Sequence, residues 1–126
     1  MAELKIGLEH SITYKVEEKD SALKVGSGLV DVFATPSLIA LCEKTCSEMV
    51  KDYLQVGQVT VGSDVQIKHS APSKIGATVK AKAQLIGIDG RKLYYRVVVI
   101  DGTNIVAIGS HTRFIVDKQR FMDKLK

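Results

Sequence analysis

The feature that most constrains this chain is that it holds one long helical period and is otherwise written in the two-residue period of β-strands. From Pro36 to about Leu54, residues Leu38, Ile39, Cys42, Cys46, Met49, Val50 and Tyr53 recur at mostly three- and four-residue steps. That spacing gathers them on one stripe of an α-helix, with Lys44, Glu48 and Lys51 opposite. Thr35 is placed to cap the helix, and Pro36 suits its first position, where no N–H is needed. Gly57 ends the segment. A helix with one apolar stripe must bury it, and the rest of the chain offers only strands to bury it against.

Before the helix, Leu8 to Val16 alternates through Ile12, Tyr14 and Val16, and Glu17 to Gly28 reads as a connection with a short turn. After it, Gln58–His69, Thr78–Ile86, Lys92–Ile100 and Asn104–Val116 read as strands. Asp89-Gly90 and Asp101-Gly102 are hairpin signals between the last three. The charged tail from Asp117 to Lys126 frays or forms a short helix. One strand, a long helix and four strands predict a single α+β domain over residues 1–126, with an antiparallel sheet covered by one helix. Sheet edges left open by this plan favour association of copies.

Composition narrows the partners. A chain of 126 residues is long enough for a genuine core in one domain. A net charge of only +4, no basic run of five, and no Trp argue against a nucleic-acid partner. Cys42 and Cys46 lie one helical turn apart and read as small buried hydrophobes. No CxxC and no nearby His accompany them, so no metal site is expected. The first residues lack the apolar core of a signal peptide, and no apolar run reaches membrane-spanning length. The expectation is a cytoplasmic protein with no membrane partner.

Three residue types carry the chemistry. Val59, Val61, Val65, Ile67 and His69 fall on alternate positions, so simple alternation places His69 on the valine face at the strand's end. Glu43 lies at the margin of the helical stripe beside Ile39 and Val50, where partial desolvation would strengthen its basicity. With Thr35 at the helix start, the chain offers an alcohol, a carboxylate and an imidazole, the parts of water-based acyl chemistry. Each also has a plain structural reading: Thr35 as N-cap, Glu43 as a surface residue, His69 bonded to a loop. The helix N-terminus favours negative charge. Because Pro36 cannot donate, the N–H groups of Ser37 and Leu38 are the candidate oxyanion donors, or Gly62 of a neighbouring subunit.

Val32-Phe33-Ala34-Thr35, Glu43 and His69-Ser70-Ala71-Pro72 together resemble the fluoroacetyl-CoA thioesterase family of hotdog proteins. The likeness runs from about Val32 to Arg113 and takes in Gly76, Asp89-Gly90-Arg91, Tyr95-Arg96-Val97 and Gly109-Ser110-His111-Thr112-Arg113. It implies a hotdog fold, in which an antiparallel sheet wraps one long central helix. It implies an acyl-CoA thioesterase that hydrolyses a short- or medium-chain acyl-CoA to free acid and CoA, with Thr35, Glu43 and His69 as the catalytic set. It places Gly62 and Arg113 at the acyl end of the substrate. Among the residues that could meet the CoA phosphates Arg113 is the strongest candidate, and His111, two residues before it on the same strand face, is a weaker one. CoA enters as part of the substrate, with no separate cofactor, and the site lies between subunits of a homodimer or higher homo-oligomer. Two departures limit the likeness: Pro36 stands where the family has Gly, and Leu29 where it has a lid aromatic. Selectivity for a fluorinated acyl group is therefore not expected. The alternative is a non-catalytic acyl-CoA-binding module or metabolite sensor on the same fold.

Overall fold

The computed structural model describes residues 3–126. The chain runs through β1 (Glu9–Lys15), a short 3-10 turn, α1 (Ala22–Val25), α2 (Thr35–Val50), β2 (Gln58–His69), β3 (Thr78–Asp89), β4 (Lys92–Asp101), β5 (Asn104–Asp117) and α3 (Lys118–Asp123). The five strands form one sheet in the order β1-β3-β4-β5-β2, with every neighbouring pair antiparallel. The expected sheet around one long helix is what forms. Gly90 and Gly102 sit at positive φ in the two tight turns, as the hairpin signals require.

Leu38, Leu41, Cys42, Cys46, Met49 and Val50 of α2 are buried against Val79, Ala81, Ala83 and Leu85 of β3 and Leu93, Tyr95, Val97 and Val99 of β4. Each large side chain taken out of water here contributes about 1.5–3 kcal/mol, which is why the stripe decides where the helix lies. Both cysteines are free and buried, and burial pushes the Cys42 thiol up to about 12. The helix ends at Val50, and Lys51–Tyr53 continue as a 3-10 turn rather than as α-helix to Leu54. The connection from Glu17 to Gly28 holds, besides the expected short turn, a four-residue helix. Ser21 accepts a hydrogen bond from the Lys24 N–H and starts α1.

Two local details position the site. The chain leading into α2 is tied on both sides: Phe33 N–H donates to the Ser73 carbonyl at 2.9 Å, and Ala34 N–H to the Asp20 carbonyl at 2.8 Å. Ser73 lies in the loop that follows β2, so the start of α2 is fastened beside that strand's end. The second detail is a β-bulge in β2. Gly62 pairs with Arg113, but Asp64 pairs with Thr112, which leaves Ser63 as the inserted residue. The bulge shifts the phase of alternation. Gly62 and Val65 share the helix-facing side with their partners Arg113 and His111. Val59 and Val61 consequently face outward, opposite to Val65, Ile67 and His69, and the single valine face expected from alternation does not exist.

Candidate active site

Thr35 is the first residue of α2, with Ala34 as the N-cap, Pro36 following at the second position, and no side-chain cap. The capping role expected of Thr35 is therefore not the one it plays. Its Oγ1 lies 2.8 Å from His69 Nδ1. That contact leaves His69 Nε2 buried and without a hydrogen-bond partner. Burial lowers the His69 pKa, with a weaker opposing pull from the Ala71 backbone, so the neutral imidazole is the form at pH 7. The pair opens on a groove of about 340 Å³ whose walls include Val30, Val32, Phe33, Ser70 and Pro72. Val30 lines this groove, whereas Leu29 is 93% exposed.

A second cluster forms farther along α2. Glu43 Oε2 is 3.5 Å from Arg113 Nη1. Their side chains differ sharply in exposure, 41% for Glu43 and 8% for Arg113, so the carboxylate is half in solvent rather than desolvated between Ile39 and Val50. Arg113 is held firmly: Nε donates to Thr60 Oγ1 at 2.9 Å and Nη2 to the Thr60 carbonyl at 3.0 Å. Nη1 also lies 3.1 Å from His111 Nε2, and His111 Nδ1 is 2.8 Å from the Asp64 carbonyl. Gly62 closes the cluster, since a Cβ at this position would lie 2.9 Å from Glu43 Oε2, 3.2 Å from His111 Cε1 and 3.3 Å from Arg113 Nη1. The absence of a side chain at residue 62 lets the carboxylate, imidazole and guanidinium meet over β2. Gly62 does this within its own chain.

Of the residues expected at the helix N-terminus, Leu38 is excluded as a ligand. It is fully buried, and its N–H donates to the Ala34 carbonyl at 2.9 Å. Ser37 keeps a first-turn N–H with no intrahelical acceptor, while its side chain faces a separate hollow beside Tyr14, Asp20 and Lys44. Thr60 was not marked by the sequence. No pattern in β2 distinguishes it, and its role depends on the phase set downstream by Ser63. Among the described residues, no group of three His, Cys, Asp or Glu side chains is placed to hold a metal ion, and no helix is long and apolar enough to cross a membrane.

The chemistry available is thus an alcohol–imidazole pair at one end of α2 and a carboxylate–guanidinium pair on its flank. Comparison with known proteins adds family to geometry. Residues 16–119 match the profile of the fluoroacetyl-CoA-specific thioesterase family. A fluoroacetyl-CoA thioesterase of Streptantibioticus cattleyicolor is 31% identical over 96 residues, covering 76% of this chain and 69% of that relative. A crystallised fluoroacetyl-CoA thioesterase superposes with a TM-score of 0.94 at 25% identity, over 98% of this chain and 96% of that one. A hot-dog-like protein from Thermanaerovibrio acidaminovorans shares the fold with a TM-score of 0.87 at 19% identity, over 95% of this chain and 89% of that one. A sheet wrapped on one helix, matched over nearly its whole length, is the hotdog fold, and the chain belongs to the fluoroacetyl-CoA-specific thioesterase family.

Proposed function

We propose that this protein is an acyl-CoA thioesterase that works as a homodimer, hydrolysing a short- or medium-chain acyl-CoA to free acid and CoA. The observation that carries the reading is the Thr35–His69 contact of 2.8 Å, which leaves a buried, unpaired Nε2 on a neutral imidazole. An unpaired buried nitrogen costs stability unless something else uses it. A reacting group in the groove is such a user. Leu29, standing where the family has a lid aromatic, points to solvent, so the acyl group is not expected to be fluorinated.

The geometry also supports two copies. Glu43 lies eight residues beyond Thr35, about 12 Å along the helix axis at 1.5 Å per residue. Gly62, which touches Glu43, is roughly 20 Å along β2 from His69. One chain therefore divides the Thr, Glu and His set between two places. β2 is an edge of the sheet. Antiparallel pairing of two β2 edges about a two-fold near Val65 and Gln66 sets each His69 opposite the second copy's Gly62, and so near that copy's Glu43 and Arg113.

In this arrangement water attacks the thioester carbonyl as Glu43 takes its proton, and as the C–S bond breaks neutral His69 relays that proton from Glu43 to the departing CoA sulfur, which restores both groups. The Ser37 N–H and the α2 dipole favour the oxyanion, and Arg113 meets the acyl end beside Glu43. CoA is consumed as part of the substrate, and the cytoplasm is the compartment that supplies it.

The test is free-thiol release from acetyl- through decanoyl-CoA and phenylacetyl-CoA, with Glu43→Gln alongside and the mass measured by sedimentation. Release that the substitution abolishes in a folded dimer is expected. Bound CoA esters with no release from any of them would establish a binding module instead, and a monomer that turns over would refute the shared site.

A further inference from the structure

The contacts around His111 are more specific than a core histidine needs. The residue is 2% exposed on β5 and has no opening to solvent through which to act on a substrate. Its two nitrogens nevertheless have opposite, fixed tasks. Arginine has no acceptor, so Arg113 Nη1 at 3.1 Å must donate to His111 Nε2. The ring proton is then on Nδ1, where it donates to the Asp64 carbonyl at 2.8 Å. That carbonyl belongs to the residue just past the Ser63 bulge, where the β2–β5 ladder is locally interrupted. Tyr95 of β4 stacks on the imidazole with ring centroids 6.3 Å apart, which fixes the ring plane.

We propose that His111 is a positioning residue, a neutral imidazole held as its Nδ1–H tautomer that steadies Arg113 Nη1 against Glu43. The family reading gives Arg113 and Glu43 their task, and the inference rests on that reading for its kinetic part alone. Thr60 fixes Nε and Nη2 of the guanidinium. His111 is the acceptor that fixes Nη1, the nitrogen that faces the carboxylate.

Protonation would reverse the arrangement. A second N–H would point at Nη1 from 3.1 Å, donor against donor and cation against cation. The groups that face His111 are Arg113 from its own strand, Glu43 from α2, Asp64 from β2 and Tyr95 from β4. Burial is the main force that lowers its pKa; Arg113 adds to this, while the Asp64 backbone bond and the two carboxylates oppose it. Acidification therefore releases Arg113 Nη1, while the two Thr60 contacts to Nε and Nη2 stay in place.

The first experiment is a long-range proton–nitrogen correlation spectrum of the wild-type imidazoles at pH 7, with the His111 signals assigned by their loss in His111→Gln. A protonated Nδ1 and a bare Nε2 are expected. An Nε2–H form, or rapid averaging of the two, would overturn the proposal whether or not the protein hydrolyses any thioester. The second experiment compares His111→Gln, which keeps an acceptor toward Arg113, with His111→Phe, which keeps the ring and loses the acceptor. We expect kcat/KM within about threefold of wild type for Gln and about 10- to 100-fold lower for Phe, the scale of a misplaced active-site group. The acid limb of the Gln variant should show one protonation where the wild type shows two. Equal losses in both variants, tracking their losses in Tm, would reduce His111 to a packing residue and overturn the proposal. If His111→Phe fails to fold, the wild-type tautomer and the Gln pH profile decide the matter.

Discussion

Replacing Gly62 by Ala should separate activity from stability. The added Cβ would sit 2.9 Å from Glu43 Oε2, 3.2 Å from His111 Cε1 and 3.3 Å from Arg113 Nη1. Gly62 is not among the glycines at positive φ, so alanine fits the backbone. Alanine in a strand interior gains about 0.5–1 kcal/mol over glycine from reduced chain entropy. Against that gain, something must move by a few tenths of an ångström. Arg113 is anchored by three hydrogen bonds to Thr60 and His111 and cannot yield easily. Glu43 is 41% exposed and can swing toward solvent at little cost. The net change in stability should stay within about 1 kcal/mol, near 4 °C in Tm for a chain of this length. Displacing the carboxylate should cost about 10- to 100-fold in kcat/KM. Thermal unfolding by circular dichroism and thiol release on the preferred acyl-CoA give the two numbers. Wild-type turnover by Gly62→Ala would refute the idea that an open approach over residue 62 positions Glu43. A loss of Tm far beyond 4 °C would show that the carboxylate cannot move as argued.

Further outcomes follow from the same contacts. Thr35→Ala should cost under about 1 kcal/mol in urea unfolding, because the hydroxyl serves His69 and not the helix start, yet should lower kcat strongly; a cap-sized loss with intact activity would contradict this. Because burial lowers the His69 pKa, its neutral form persists below the ordinary value of 6.5. The rate should therefore hold as pH falls through 6.5 and drop only at lower pH, and a midpoint at or above 6.5 would speak against His69 as the proton carrier. Gly109→Ala should damage the fold itself, since its Cβ would collide with the Gln66 carbonyl oxygen and lie 2.7 Å from Ile67 Cα. We expect a loss of at least about 3 kcal/mol in denaturant titration or no soluble protein, and a stable variant would refute the close approach of β2 to β5.

The sequence made the elements legible because helical and strand periods differ so plainly on either side of Gly57. Leu38, Cys42, Cys46 and Met49 could only line a helix, and Asp89-Gly90 could only be a tight turn. The site was legible as residue types and not as geometry. Straight alternation through β2 predicts one valine face, and Ser63 breaks it: Val59 and Val61 turn outward while His69 keeps the inner side. A glycine followed by two polar residues inside a strand, Gly62-Ser63-Asp64, is the signal that announces such a bulge. The common preference of threonine for helix starts predicts a cap at Thr35, but a hydroxyl with an imidazole in reach has a second partner that local sequence does not display. Leu38 failed as a ligand because the fourth N–H of the helix already closes on the Ala34 carbonyl. His111 was visible as a neighbour of Arg113, but its link to Asp64 crosses from β5 to β2 and exists only once the bulge has formed.

The extra residue in β2 also bears on how such a strand can change over generations. Surface strands at sheet edges ordinarily tolerate the gain or loss of residues, because little depends on their exact count. Here the phase matters. Were Ser63 kept in phase rather than set aside in the bulge, a single alternation would run from Gln58 to His69, so that the glycine gap under the carboxylate and the imidazole at the far end fall on opposite sides of the sheet. Substitutions on the outer face are open to drift, and so is loss of Ser63 together with its bulge, while one further residue between Gly62 and His69 would evert half the strand unless a second bulge absorbed it. The bulge thus absorbs one extra residue and keeps both ends of the strand in phase, so what is constrained is the match between residue count and bulge rather than the count itself.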